Sequence, residues 1–354
     1  MKVTSIALRH VRAHINYTLA VSPSVTLITG SNGSGKTTLI EALHVALRGT
    51  SFKGSDNDIL QSGAPWYRID IAFDDQSLRT VKFDPGRATG KKQFEFDSKT
   101  HYRLAHAHKY PVVLFEPEDL RLLNGSPTRR RDFIDNFITQ LDPEYATAIR
   151  RYERALKQRN SLLKRTVVYD DDLFAWNITL SQYGAHIIEK RLHFIDELNA
   201  ELCSVYRDIA HTNDDVVVRY SYSSTRQGLS QVLLAELHAR TERDKIVGFT
   251  SVGPHRHDVL FDFNKAPALT VASRGESRTV VLALKFLEVR FIEMLTGKKP
   301  IILLDDVFSE LDASRQQTLI RQFSEYQTII ASVGAIDVGG DVIELTDLSE
   351  SVRL

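Results

Sequence analysis

The stretch Gly30-Ser31-Asn32-Gly33-Ser34-Gly35-Lys36-Thr37 follows the apolar run Val25 to Ile28 and precedes Thr38 to Leu47, a run of good helix formers. It satisfies the pattern GxxxxGK[ST] in full, at a junction between a strand and a helix. Glycines 30, 33 and 35 let the backbone curl so that successive N–H groups turn inward. Lys36 then reaches the β- and γ-phosphates, the Thr37 hydroxyl can ligate Mg²⁺, and the helix contributes its positive end. A nucleoside triphosphate is the expected ligand, held by Gly30, Ser31, Asn32, Gly33, Ser34, Gly35, Lys36, Thr37 and Thr38.

The chain has 354 residues, 42% hydrophobic and 25% charged, which is ordinary globular composition and long enough for one large or two ordinary domains. Lys and Arg number 45 and so do Asp and Glu, so any binding to nucleic acid must come from local patches and not from a global field. The longest apolar runs, such as Pro300 to Leu304, fall far short of the about 20 residues that span a bilayer. The alternating start Met1 to Leu8 reads as a strand without the features of a signal peptide, so a cytoplasmic protein is expected. The single cysteine, Cys203, excludes an internal disulfide and zinc held by cysteines.

Outward from the loop, residues 2 to 9 and 16 to 29 read as strands, and residues 38 to 48 as the helix after it. Arg68 to Phe73 and Leu78 to Phe83 alternate around Asp74-Asp75-Gln76, a β-hairpin, which places an antiparallel lobe beside the loop. Val112 to Phe115 suits a strand buried on both faces. From Thr128 to Tyr206 the period turns helical, with Pro143 as a boundary. Leu173, Trp176, Leu180, Tyr183 and Ile187 step by 3 and 4, and a shifted series runs from Ile188 to Val205, so this region forms either a short antiparallel arm or ordinary bundle packing. Glu276 to Leu295 is helical and apolar nearly all round, hence buried, with Val280, Leu284, Leu287, Phe291 and Leu295 as its densest stripe. Strands at Pro300 to Leu304, Thr328 to Ala331 and Val342 to Leu345, with a helix at Ala313 to Phe323, close an α/β core.

Ile301-Ile302-Leu303-Leu304-Asp305-Asp306 is the second half of the site: four apolar residues deliver an acid pair to the end of a buried strand. Asp305 is assigned to the Mg²⁺ shell, and Asp306, with Lys36, to catalysis as the group that polarises the attacking water. About 270 residues separate Lys36 from Asp305, so a large insertion splits one nucleotide-binding core. The expected division is an ATPase head from residues 1–125 and 246–354, with a mainly helical arm at 126–245.

Ala272-Ser273-Arg274-Gly275-Glu276 resembles the signature loop of ABC-type ATPases, and Ser309-Glu310-Leu311-Asp312 resembles their D-loop. Together with the phosphate loop and the helical insertion, this is the layout of SMC-like DNA-repair ATPases. Further stretches resemble the RecF family in particular: Thr50 to Lys53, Leu114 to Leu120, Arg129 to Asp135, Gly253-Pro254-His255-Arg256 and Leu304 to Asp312. The resemblance implies an α/β, ABC-type P-loop ATPase head with an antiparallel lobe and an inserted arm. It implies slow, Mg²⁺-dependent ATP hydrolysis, an ATP-dependent homodimer in which Ser273, Arg274, Gly275 and Glu276 act on the partner's nucleotide, and D-loop roles for Ser309 and Asp312. It also implies DNA as a partner, both duplex and single-strand/duplex junctions, together with RecO/RecR-type recombination mediators and a part in gap repair.

Three departures from the ABC pattern bear on turnover. Asp306 stands where most ABC ATPases carry Glu, Ser332-Val333-Gly334 offers no switch histidine, and Glu118 stands where a glutamine loop is expected, as a candidate metal or water contact. Arg129, Arg130 and Arg131, with Arg151, Arg154 and Lys157, are candidate DNA contacts on the arm; the other reading is a solvated basic face balanced by Asp170 to Asp172, with Arg131 pairing Asp135 along one helix. His255 to Asp258 reads as a loop entering a strand, with Arg256 a candidate phosphate or interface contact. Rival functions are a transporter's nucleotide-binding subunit and a DNA clamp that binds ATP without turning it over.

Overall fold

A computed structural model describes residues 1–165, 167–222, 227–334, 336 and 339–345. In chain order, strands β1 (Val3–Val11), β2 (His14–Ala20) and β3 (Val25–Thr29) lead to α1 (Lys36–Arg48) and the short α2 (Asp56–Ile59). Strands β4 (Tyr67–Phe73), β5 (Leu78–Phe83), β6 (Lys92–Phe96), β7 (Lys99–His101) and β8 (Val112–Phe115) follow. Helices α3 (Pro127–Leu141), α4 (Pro143–Leu163) and α5 (Asp170–Ala210) come next, then β9 (Val216–Tyr220), α6 (Leu229–Ala239) and α7 (Thr241–Val247). The chain closes with β10 (Val259–Phe263), β11 (Ala266–Pro267), α8 (Ala268–Val271), α9 (Arg274–Thr296), β12 (Ile301–Asp305), α10 (Ala313–Phe323), β13 (Thr328–Ser332) and β14 (Asp341–Glu344).

Two compact units result, one from Met1–Asp119 with Glu288–Leu354 and the other from Leu120–Leu287. The first holds two sheets. Five strands in the order β14-β3-β13-β12-β8 pair in parallel, and six in the order β2-β1-β4-β5-β6-β7 pair antiparallel. Strands β3, β12 and β13 are buried at every position, as strands covered on both faces must be. Helix α1 packs against strands of both sheets, and Leu39, Ile40, Leu43, Val45 and Leu47 are fully buried. Each such side chain contributes roughly 1.5–3 kcal/mol through the water it sheds. Gln327 ties the sheets together. Its Oε1 accepts from Val3 N at 2.8 Å while its Nε2 donates to the carbonyls of Val3 at 2.6 Å and Ser22 at 2.8 Å.

The second unit is mainly helical, with a three-stranded sheet in the order β11-β10-β9. Ser126 caps α3, accepting from Arg129 N at 3.3 Å, and Pro127 opens the helix where its missing N–H costs nothing. Asp142 caps α4 by accepting from Glu144 N and Tyr145 N at 2.8 and 3.0 Å. α5, with 41 residues, is roughly 60 Å long and packs along α4 and α6. A fully buried ion pair anchors this packing. Arg159 donates to Asp244 Oδ2 at 2.7 Å, Thr250 Oγ1 at 2.8 Å and Asn177 Oδ1 at 2.7 Å.

The expected stripe on α9 is buried at Val280, Leu284, Leu287 and Phe291 but not at its end, where Met294 and Leu295 are 67% and 58% exposed. The run from 16 to 29, read as one strand, breaks at Val21 to Ser24. Pro23 has no N–H to offer a ladder there.

Candidate nucleotide site

β3 ends at Thr29, and the loop then takes three glycine conformations, with φ of +153° at Gly30, +86° at Gly33 and +93° at Gly35. At Gly35 the constraint is double, because a Cβ there would stand 2.3 Å from Nε2 of the buried His14. Burial holds the His14 imidazole below its ordinary pKa, opposed by the contact to Gly35 O. Lys36 folds back over the loop and donates to Gly30 O at 2.8 Å and Ser31 O at 2.6 Å, so its ammonium is centred on the cradle. Ser34 Oγ is buried inside the loop and bonds no protein atom among the described residues.

The acid strand meets this loop. Thr37 Oγ1 donates to Asp305 Oδ1 at 2.7 Å across 268 positions of sequence, and Lys53 Nζ lies 3.0 Å from Asp305 Oδ2. Asp305 is 2% exposed. Asp306 sits beside it in a left-handed backbone conformation (φ 54°), unusual for a residue other than glycine, with its N–H bonded to Ala331 O at 2.9 Å. Its Oδ1 is buried without a hydrogen-bond partner among the described residues, and burial followed by the neighbouring Asp305 raises its pKa above the ordinary aspartate value.

These residues fit a triphosphate with Mg²⁺. Orphaned polar atoms at Ser34 and Asp306, a lysine aimed over open backbone and one hydroxyl bonded to one buried carboxylate leave the remaining ligands to phosphate and water, which is how Mg²⁺ is commonly held. Among the described residues no group of three His, Cys, Asp or Glu side chains could hold a metal alone. Lys53, which sequence reasoning placed only within a family-like stretch, stands at the carboxylate assigned to the metal. Its signal was its place in the loop after α1.

The remaining candidates fall as follows. Ser309 Oγ donates to Asp306 O at 2.8 Å, and Asp312 caps α10, accepting from Arg315 N at 3.0 Å. Ser273 and Glu276 form a reciprocal cap: Glu276 Oε2 accepts from Ser273 N at 2.6 Å and Ser273 Oγ accepts from Glu276 N at 3.2 Å. Ser273 and Arg274 are exposed there, and Gly275 is half-buried. Glu118 is exposed in the 3₁₀ turn Pro117–Arg121 after β8.

In the second unit Arg151, Arg154 and Lys157 lie exposed at helical spacing on α4, with Arg151 against the Tyr183 ring at 5.5 Å. Arg129 is half-buried, and Arg130 is buried and grips Asp258 with two bonds of 2.9 and 2.7 Å. Arg131 donates to His257 O at 2.7 Å, and the Asp135 expected to pair with it is held by Arg191, at 2.8 and 2.7 Å. Arg256 donates to Thr250 O and packs over Phe249 at 4.7 Å. His255 Nδ1 is 2.7 Å from Tyr152 Oη, and His257 Nδ1 is 2.9 Å from Tyr220 Oη. Of the Gly-Pro-His-Arg stretch, Gly253 and Pro254 are thus buried, His255 is half-buried and Arg256 stays exposed.

A family model described as an AAA domain matches residues 5–197. The DNA replication and repair protein RecF of Natranaerobius thermophilus is 33% identical over 364 residues, covering 97% of this chain and 94% of that protein. RecF of Clostridium perfringens is 31% identical over 96% of this chain and 94% of its own length. A solved structure of the recombination mediator protein RecF-ATPrS in the RecFOR pathway superposes with a TM-score of 0.86 at 27% identity, covering 98% of this chain and 96% of that one. An Smc head bound to the C-winged helix domain of ScpA, 12% identical with a TM-score of 0.53 over 97% of this chain and 94% of its own, shares the fold. With its phosphate loop, acid strand and near full-length match to these proteins, the chain belongs to the RecF family, on an α/β ABC-type ATPase head.

Proposed function

We propose that the chain is a RecF-like ATPase of DNA replication and repair that binds ATP with Mg²⁺, dimerises on it, clamps DNA at gaps and turns ATP over slowly. The observation that carries this is the 2.7 Å contact between Thr37 Oγ1 and Asp305 Oδ1, with Lys36 Nζ poised over the same loop. Residues Gly30 to Thr38 hold the phosphates, and Thr37 and Asp305 hold the metal, with Glu118 at its water shell. The metal offsets charge on the phosphates. Asp306 takes the proton of the attacking water, and its short side chain favours a slow switch over a fast motor.

The capped loop Ser273 to Glu276 presents a hydroxyl and a helix N-terminus to the nucleotide of a second copy, and Ser309 and Asp312 take the D-loop roles. Residues 1–125 and 246–354 act as the head, and 126–245 as the arm. DNA follows the half-buried Arg129 and the exposed cations Arg151, Arg154 and Lys157; Arg130 contributes through the position its ion pair gives Arg129 and Arg131. RecO/RecR-type mediators and a cytoplasmic setting belong to the same reading, supported by the RecFOR pathway named for the solved relative. Among the described residues no helix is long and apolar enough to cross a membrane. Size-exclusion chromatography with light scattering, with and without ATP and Mg²⁺, tests it: a dimer is expected only with both, and a monomer under both conditions overturns the ATP-gated dimer.

A further inference from the structure

The outer face of the antiparallel sheet carries a row of cations that the fold does not need. Arg9 on β1 stands directly opposite Arg68 on β4, and Arg68 directly opposite Lys82 on β5, so three basic residues face one another across three neighbouring strands. Like charges in register oppose sheet formation. Two are partly compensated, Arg68 by Asp70 at 2.7 Å and Lys82 by Glu95 at 2.7 Å, both acids lying one step further along the strands. Arg9 has no carboxylate partner among the described residues, and neither does Lys91, just before β6. Among the described residues Arg87 reaches only Asp84, at 3.4 Å.

These five cations line a groove of about 360 Å³ in which Asp84 is the one acid, on a chain whose net charge is zero. Trp66 stands in the same groove, 38% exposed. Its ring is packed against His10 at 4.9 Å with the planes 86° apart, and His10 is fixed in turn by Gln61, whose Oε1 is 3.0 Å from His10 Nδ1. An indole held rigidly in a basic groove spends little entropy when a flat partner stacks on it. Cations that follow a phosphate backbone, beside an aromatic that accepts any base, are the combination that binds single-stranded nucleic acid without reading sequence.

We infer that this groove, lined by Arg9, Trp66, Arg68, Lys82, Arg87 and Lys91, binds a single-stranded nucleic-acid segment, its phosphates on the cations and a base on Trp66. The inference rests on the DNA-binding function proposed above and adds a second contact surface to it. Fluorescence anisotropy with a labelled oligo-dT and a duplex of equal length, from 50 to 200 mM salt, tests it in the full chain.

The double variant Arg9→Gln/Lys91→Gln should flatten the slope of log affinity against log salt on oligo-dT by about 1.4, at about 0.7 per lost phosphate contact. Trp66→Ala should weaken oligo-dT about tenfold, as loss of one stacked base does, and leave the duplex within twofold. Both variants should bind ATP like wild type, which controls for folding of the same unit. Wild-type slope and affinity in both variants overturn the groove while leaving the DNA-binding function standing; equal loss of duplex and single strand in Trp66→Ala overturns the stacking role. A wild-type chain that binds neither oligonucleotide overturns the proposed function itself.

Discussion

Lys53→Ala separates two meanings of one ion pair. The ammonium lies 3.0 Å from Asp305 Oδ2, on the carboxylate assigned to Mg²⁺, so metal and lysine compete for the same negative charge. At an effective dielectric of 20 the gross attraction at this distance is about 5 kcal/mol, but the lysine side chain is 36% exposed, and pairs so wetted deliver roughly 1 kcal/mol or less. Removing Lys53 should therefore tighten Mg²⁺ by about fivefold. The same change strips a partner from a carboxylate that is 3% exposed, so the nucleotide-free variant should be less stable by about 1 kcal/mol. The assay is a Mg²⁺ titration of fluorescent ATP-analogue binding, with thermal melts of free and loaded protein. The half-saturating Mg²⁺ should fall about fivefold, and the gap from wild type should narrow at high salt, where screening already weakens the pair. An unchanged or increased Mg²⁺ requirement refutes the competition and makes Lys53 a ligand of the nucleotide instead.

Two further predictions concern protons. Asp306→Asn should abolish turnover and keep ATP binding. Because burial and Asp305 raise the Asp306 pKa, the carboxylate needed as base forms only above the ordinary aspartate range; wild-type turnover should fall as pH drops through that raised value, and a flat profile through weakly acidic pH would refute the role. His255 and His257 are each pushed down to about 4 by burial, with Arg131 beside both and Arg191 beside His257 adding to the effect. The fold thus prefers both neutral, so their contribution is complete above the unfolded value of 6.5 and is lost as pH falls from there through about 4, by roughly 3 kcal/mol each at the limit. Urea unfolding between pH 7 and 4 checks this, and Tyr152→Phe should leave the trend in place because burial, not the hydroxyl, is its main cause.

The sequence by itself determined those features whose physics is local. Glycine spacing defined the cradle, four apolar residues before two acids marked the buried strand, alternation around Asp74 to Gln76 made the β4–β5 hairpin, and the prolines at 127 and 143 start α3 and α4. Periodicity tells which face of an element is buried, but it does not tell which partner meets it. Only tertiary structure could therefore put Lys53 on Asp305, let Gln327 bind Val3 across 324 positions, or give Asp135 to Arg191 instead of Arg131. The arginine triplet shows the difference most directly. Three like residues in a row are equivalent in sequence, yet a helix turns about 100° per residue. Arg129 therefore stays half-buried, Arg130 enters the interior to meet Asp258, and Arg131 reaches a backbone carbonyl. The Trp66 groove was hidden for the same reason, since its cations come from strands far apart in the chain and meet only when β1, β4, β5 and β6 fall into register.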